Sequence, residues 1–372
     1  MKLTSRRGLL SDALQLVSRA VTGRSTLPIL SNVLLEVKGG AEGPRLRLLT
    51  SDLEMWVDCS IPADDAEEGA LTLPAKILNE VVASLPEAEV KIASEDANAV
   101  TLTCGKSRYA IQGLAAEEFP SPPEVSGGVL LTMPQAGLRR LVRATEFAAS
   151  ADETRAILAG ILVVWEGPKL SLVATNMHRL AIDSMIVEGG PAQQARTVVP
   201  ARALREVLRS LSAEAEPTAR VHLGESQAVF DLGRVVITSR IIEGQFPNYE
   251  RVIPAEAEHT LRADRHELLA ALRRADIVAR TEADKVILRL QPSSLLIEAE
   301  SAEIGRAHEE VPIELEGEQS EIAFNAQYLI EALEVIVEDQ VQIDLTGPLS
   351  PGALKAVGDA PYLYIIMPMQ LT

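Results

Sequence analysis

PARALREVLRSL, residues 200–211, aligns without gaps with PAKILNEVVASL at 74–85 and with NAQYLIEALEVI at 325–336. The copies at 74 and 200 share seven of twelve positions, and successive starts lie 126 and 125 residues apart. That spacing is a domain length, far longer than a solenoid repeat. Each copy carries apolar residues at helical spacing, as in Leu204, Val207, Leu208 and Leu211, and opens on Pro or Asn, both good helix starters. Each therefore predicts an amphipathic helix.

A second helical pattern recurs at the same spacing in LTSRRGLLSDALQLV (3–17), LTMPQAGLRRLVRAT (131–145) and LRADRHELLAALRRA (261–275). Between the two patterns of each copy lie short β-rich runs, LRLLTSD (46–52), LSLVATN (170–176) and LLIEAES (295–301). Pro- and Gly-rich stretches at 120–128 and around Pro254 mark the joins. The expected fold is α+β, with three similar domains over 1–124, 125–255 and 256–372, each placing two helices on antiparallel sheet.

The chain has 372 residues, 47% of them hydrophobic and 24% charged, as expected of a soluble globular protein. Nothing in it predicts a membrane span, and the interrupted apolar stretch near the N-terminus reads as mature, cytoplasmic sequence. Cys59 and Cys104 are too few and too far apart for a disulfide framework or a zinc site and read as reduced core or strand residues. A net charge of −18 argues against a nucleic-acid partner unless charge is segregated. It is segregated. The six helical segments, 1–24, 74–85, 132–150, 200–211, 261–280 and 325–336, together carry +8, and the other 273 residues carry −26.

Arg202, Arg205 and Arg209 recur at i, i+3 and i+7, opposite the apolar face, and Arg139, Arg140 and Arg143 repeat the arrangement. Basic residues occur in five of the six segments; 325–336 has Glu331 and Glu334 and no base. With aromatics at 3%, such helices suit contact with phosphates rather than base reading or single-strand stacking. No catalytic constellation is present. GKS at 105–107 lacks the upstream glycine of a phosphate loop, since Val100 stands there, and reads as strand; the acid pairs Asp64/Asp65 and Glu67/Glu68 read as solvated loop charge. No metal or cofactor is expected.

The chain also contains MKLT at its start, GRSTLPILSNVLLEV (23–37), TSDLEM (50–55), SRY (107–109), TNMHRLA (175–181), PAR (200–202), SRIIEGQFPNYERVIP (239–254), FNAQYL (324–329) and YIIMPMQL (364–371). Together these resemble, over the entire chain, the bacterial β sliding clamp, the β subunit of DNA polymerase III. The resemblance implies three DNA-clamp domains per chain and a head-to-tail homodimer closed into a ring around double-stranded DNA, without sequence specificity. It implies a non-catalytic processivity factor in DNA replication. Its partners would be the clamp loader complex, the DNA polymerase III alpha subunit and other proteins with clamp-binding motifs.

By similarity Arg24, Lys76, Arg202 and Arg205 face the DNA, joined on the charge pattern by Arg139, Arg140, Arg143 and Arg209. Around Arg155 many family members continue with two aromatic residues where this chain has Ala156 and Ile157, so no DNA contacts are carried over there. The family's partner-peptide groove maps onto Leu158, Thr175, Met177, His178, Arg179, Leu180, Pro247, Arg251, Val252, Asn325, Tyr328, Leu349, Ile365, Ile366, Met367, Pro368 and Met369. The apolar members would form adaptable walls, and His178, Arg179 and Arg251 would orient the peptide's polar groups. The family usually reads TDGHRLA where this chain has Asn176 and Met177, and Arg is common where Gln370 stands; Met177 in place of Gly is expected to narrow the groove. The dimer contact maps onto Lys106, Arg108, Tyr109 and Ile111 of one copy against Ile277, Val278, Glu300 and Glu303 of the other. The competing reading is a triplicated scaffold that binds proteins but not DNA, keeping the groove and losing the basic stripe.

Overall fold

The computed structural model describes residues 1–21, 27–41, 43–94, 99–214 and 216–371. Among them are six α-helices: α1 (Arg7–Val17), α2 (Ala75–Ser84), α3 (Gln135–Thr145), α4 (Ala201–Ser210), α5 (Arg265–Ala279) and α6 (Ala326–Val335). The second helix of each copy falls where the repeat predicts, with Pro74 at the N-cap of α2 and Asn325 capping α6 by accepting from the Tyr328 amide at 3.0 Å. The segments assigned wholly to helix at 1–24, 132–150 and 261–280 need correction. Each begins as a strand, Lys2–Arg6, Val129–Pro134 or His259–Asp264, and turns into helix at the next residue. Burial alternates with a period of two in the second and third of these runs, which the apolar pairs of the following helix mask in sequence, while in the first Leu3, Thr4 and Ser5 are all buried.

The strand-to-helix junction is built alike three times. The first helical amides, of Arg7, Gln135 and Arg265, donate to the carbonyls of Ala88, Pro217 and Asp339 at 3.0, 2.8 and 2.8 Å. Each bond satisfies an N–H that the helix itself leaves unpaired. The apolar stripes are buried as patterned: Leu10, Leu14 and Val17 in α1, Leu138, Leu141 and Val142 in α3, Leu268, Leu269 and Leu272 in α5. At about 1.5–3 kcal/mol per fully buried leucine, these faces fix each helix to its sheet.

Every sheet is antiparallel, and the chain condenses into two compact units. One comprises Met1–Leu138 with Arg202–Ile241, the other Arg139–Ala201 with Ile242–Thr372. The middle third thus contributes strands to both. In the first unit an eight-stranded sheet joins Val235–Arg240 to Met55–Pro62, with Ile237 opposite Val57. In the second a twelve-stranded sheet joins Arg179–Ile186 to Leu363–Ile366, with Leu180 opposite Ile365. The first unit also holds a five-stranded sheet that runs from Asp64–Glu67 to Ser107–Gln112. Asp64 to Glu67, expected as loop, form its acidic outer strand; an exposed, charged edge discourages pairing with another chain. Gly105 and Lys106, expected as strand, form instead the two-residue turn between Ala99–Cys104 and Ser107–Gln112, and the φ of +55° at Gly105 suits glycine. Cys59 and Cys104 are free and buried on strands.

The repeat extends to single hydrogen bonds. Asp52 Oδ1 accepts from the amides of Glu54 and Met55 at 3.0 and 2.8 Å. Asn176 Oδ1 accepts from His178 and Arg179 at 3.0 and 3.1 Å. Ser301 Oγ accepts from Glu303 and Ile304, both at 3.2 Å. These three residues end the β-rich runs aligned in sequence, and each caps its turn with a short side-chain acceptor.

Candidate functional site

In the second unit the turn after Lys169–Thr175 is fixed from both sides. The Thr175 hydroxyl donates to the Arg179 carbonyl at 2.6 Å and accepts from the Met177 amide at 3.1 Å, while Asn176 Nδ2 donates to the Tyr328 hydroxyl at 3.3 Å. Met177 consequently holds a left-handed φ of 76°. Beside this turn lies a groove of about 170 Å³, lined by Thr175, Met177, Arg179, Leu180, Pro247, Asn248, Tyr249, Val252, Ile365 and Met367. Leu162, Val164, Val173, Leu180, Phe246 and Ile365 form the apolar core next to it.

Eight of the residues assigned to a groove come together there: Thr175, Met177, Arg179, Leu180, Pro247, Val252, Ile365 and Met367. Leu158 and Ile366 are buried in packing, His178 and Arg251 are exposed outside the wall, and Leu349 is exposed on a loop. Asn325 serves as the cap of α6, and Met369 pairs with Ala323 beyond Pro368, its amide donating to that carbonyl at 2.8 Å. Asn248 and Tyr249 were missed. Their signal was the aromatic in FPNYERVIP, whose short 3₁₀ turn at Tyr249–Val252 swings the ring and Val252 to the groove.

Arg179, expected to orient a peptide, lines the groove and is also held by packing within its own unit. Only 8% exposed, its guanidinium lies 4.2 Å from the centroid of the Tyr328 ring and 5.3 Å from that of Phe147, and Nη2 donates to the Phe147 carbonyl at 2.5 Å. Nη1 is ion-paired with Glu331 of α6. Tyr364 stacks on Phe147 and donates its hydroxyl to the Tyr328 carbonyl at 3.0 Å, and burial holds that hydroxyl well above its usual pKa. Arg179 therefore ties the groove strand to α6 and to Phe147 while lining the groove. The pair also accounts for an acidic α6: Glu331 meets Arg179, and Glu334 meets Arg273 at 2.7 Å.

Of the basic residues expected to face DNA, Arg24 lies outside the described residues. Lys76, Arg143, Arg202 and Arg209 are exposed on their helices, with Arg139 and Arg205 half-buried. Several are already engaged. Arg140 pairs with the buried Asp183 and donates to the Ser184 carbonyl at 2.8 Å; burial raises the Asp183 pKa, with Arg140 opposing. Arg202 reaches Asp52 at 2.6 Å, and Arg209 pairs with Glu206 of its own helix.

The residues assigned to a dimer contact lie on an edge strand and its turn in one unit and, in the other, at the end of α5 and on the strand and turn of Glu300 and Glu303. Ser107–Gln112 ends the five-stranded sheet, presenting Lys106, Arg108 and Tyr109, while Ile111 is 7% exposed and belongs to the core. In the other unit Ile277, Glu300 and Glu303 are exposed and Val278 half-buried; the exposed Ile304 next to them was missed. Gly305–Glu316 pairs along Gly305 to Pro312 with Ser294–Ser301, and on its other side with His259–Asp264 through residues 313–316 alone.

Three family models match the chain in succession: the N-terminal, central and C-terminal domains of the DNA polymerase III beta subunit, over residues 1–123, 132–248 and 250–370. The chain belongs to the beta sliding clamp family. It is 37% identical over 376 residues to the beta sliding clamp of Synechococcus elongatus and 33% identical over 373 residues to that of Escherichia coli, with all of each chain covered. The crystal structure of the Pseudomonas aeruginosa DNA polymerase III subunit beta, 33% identical, superposes over both entire chains with a TM-score of 0.92. The architecture is accordingly that of three clamp domains with helices packed on antiparallel sheets, and the function is that of a DNA sliding clamp in replication. Among the described residues no helix is long and apolar enough to cross a membrane.

Proposed function

We propose that the chain acts in the cytoplasm as a non-catalytic processivity factor: a head-to-tail homodimer that encircles duplex DNA and tethers polymerases to it. The observation that carries this reading is the charge segregation, with exposed Lys76, Arg143, Arg202 and Arg209 on amphipathic helices of a protein whose net charge is −18. An acidic exterior repels DNA from the wrong surface and leaves the basic one as its path. Phosphate contacts of this kind are weak singly and indifferent to sequence, which suits sliding; enclosure supplies the retention. The domains would end near residues 125 and 255.

Closure would add the Ser107–Gln112 edge of one copy to the Gly305–Pro312 edge of the other, covering both, with Arg108 and Lys106 near Glu300 and Glu303 setting the register. The groove beside Met177 would take apolar peptides from the DNA polymerase III alpha subunit, the clamp loader complex and other clamp-binding proteins. Primer extension on a primed single-stranded circle, with polymerase core and loader, tests the proposal: products should lengthen from short fragments to full circles when the chain is added. Unchanged product length contradicts it.

A protein-binding scaffold without DNA is favoured by one observation, the neutralisation of Arg140, Arg202 and Arg209 by carboxylates. The two readings separate in the same assay, since a scaffold leaves product length alone.

A further inference from the structure

The turn that carries Met177 has a counterpart in the first domain, and the two differ in one respect. LRLLTSDLEMW at 46–56 aligns without gaps with LSLVATNMHRL at 170–180, which sets Leu53 against Met177 and Trp56 against Leu180. Both residues hold nearly the same left-handed backbone, φ 74° at Leu53 and 76° at Met177. Both donate their amide to the hydroxyl two residues before, Ser51 at 2.9 Å and Thr175 at 3.1 Å. Leu53 lies down on its own domain, packed against a core cluster containing Leu49, Trp56 and Phe119. Met177 stands 56% exposed over an open groove in which Leu180 takes the place of the larger Trp56.

Resting on the reading of this groove as a peptide site, we propose that Met177 is a specificity-determining flap that folds over an apolar side chain of the bound peptide as Leu53 folds over its own core. The fixed turn sets the origin and direction of the side chain, while the unbranched thioether adapts to the shape beneath it. A peptide with a compact apolar anchor would gain a fourth wall; a polar residue at that position would leave the thioether against an unpaired group.

The test uses the full-length protein and a fluorescein-labelled peptide carrying the clamp-binding motif of a bacterial DNA polymerase III alpha subunit. Affinity is read by polarisation for wild type, Met177→Gly, Met177→Leu and Val252→Asp, the last at an exposed residue of the groove wall. Methyl-labelled methionine spectra, assigned by substitution, report contact directly. The flap predicts that Met177→Gly binds roughly tenfold more weakly, the loss of one buried apolar side chain, and that Met177→Leu restores most of it. It also predicts that the Met177 methyl signal shifts on peptide addition. Glycine suits this backbone, so a folding failure is not expected in Met177→Gly. If wild type binds, Val252→Asp binds far more weakly and Met177→Gly binds as well as wild type or better, the groove stands and the flap is overturned. If wild type does not bind the peptide, the groove reading fails and takes the flap with it.

Discussion

Arg179 and Glu331 are ion-paired across the join between the groove strand and α6, with the guanidinium closed in by the Tyr328 and Phe147 rings. A charge this buried is tolerated because Nη1, Nη2 and both ring contacts engage it, although Nε is left without a hydrogen-bond partner, and removing Glu331 leaves the guanidinium stranded. Glu331→Ala should lower the free energy of unfolding by about 3 kcal/mol, and Glu331→Gln by less, because the amide keeps an acceptor. Urea denaturation of the three proteins checks the order; an unchanged Glu331→Ala would mean the pair contributes nothing to holding the strand.

The left-handed turn predicts opposite outcomes at two repeat-equivalent positions. Met177→Gly relieves backbone strain and sacrifices little packing, so it should stabilise the protein by roughly 0.5–1 kcal/mol. Leu53→Gly relieves the same strain but removes a side chain packed on Trp56 and Phe119, and should destabilise. Thermal unfolding of both variants decides, and equal shifts would show that strain alone governs the turn.

The basic helices predict a salt signature. Each phosphate contact removed should reduce the slope of log K against log salt by roughly 0.9 on duplex DNA. Combined Arg205→Ala and Arg209→Ala should therefore flatten the slope for short linear duplex, measured by anisotropy at low salt, with equal losses on unrelated sequences. An unchanged slope would place these helices away from DNA.

Asp344 accepts from Lys355 at 2.7 Å, Gln342 at 2.7 Å and Thr260 at 2.9 Å. Burial alone would raise its pKa, but these partners outweigh burial and hold it below the ordinary 3.8. For a carboxylate depressed by folding, the stabilisation is fully present above the unfolded value and fades as pH falls through the folded one. Asp344→Asn should therefore cost stability at neutral pH and narrow its deficit as pH drops below the ordinary aspartate range. A deficit constant with pH would assign the loss to packing.

Much of this was legible in the sequence because the triplication makes each copy a check on the others. The second helix of each copy, the β-rich runs and the short acceptors that end them, Asp52, Asn176 and Ser301, recur at one spacing. The strands that open α1, α3 and α5 were not legible, because runs of only five or six residues merge with the helical pattern that follows. The groove's apolar wall was readable from motifs, yet the inward commitment of Arg179 was not. It depends on Phe147, Tyr328 and Glu331, which tertiary packing alone brings together. The neutralisation of Arg140 by Asp183 and of Arg202 by Asp52 was hidden for the same reason.

Enclosure of DNA is the central claim, and retention on a closed circle tests it most directly. The protein is incubated with singly nicked plasmid, a clamp loader and ATP, then passed over a gel-filtration column at rising salt before and after the plasmid is linearised. The account predicts salt-resistant retention on circles and release from linear DNA. Retention that fades with salt equally on both forms would contradict it, leaving electrostatic contact without a ring.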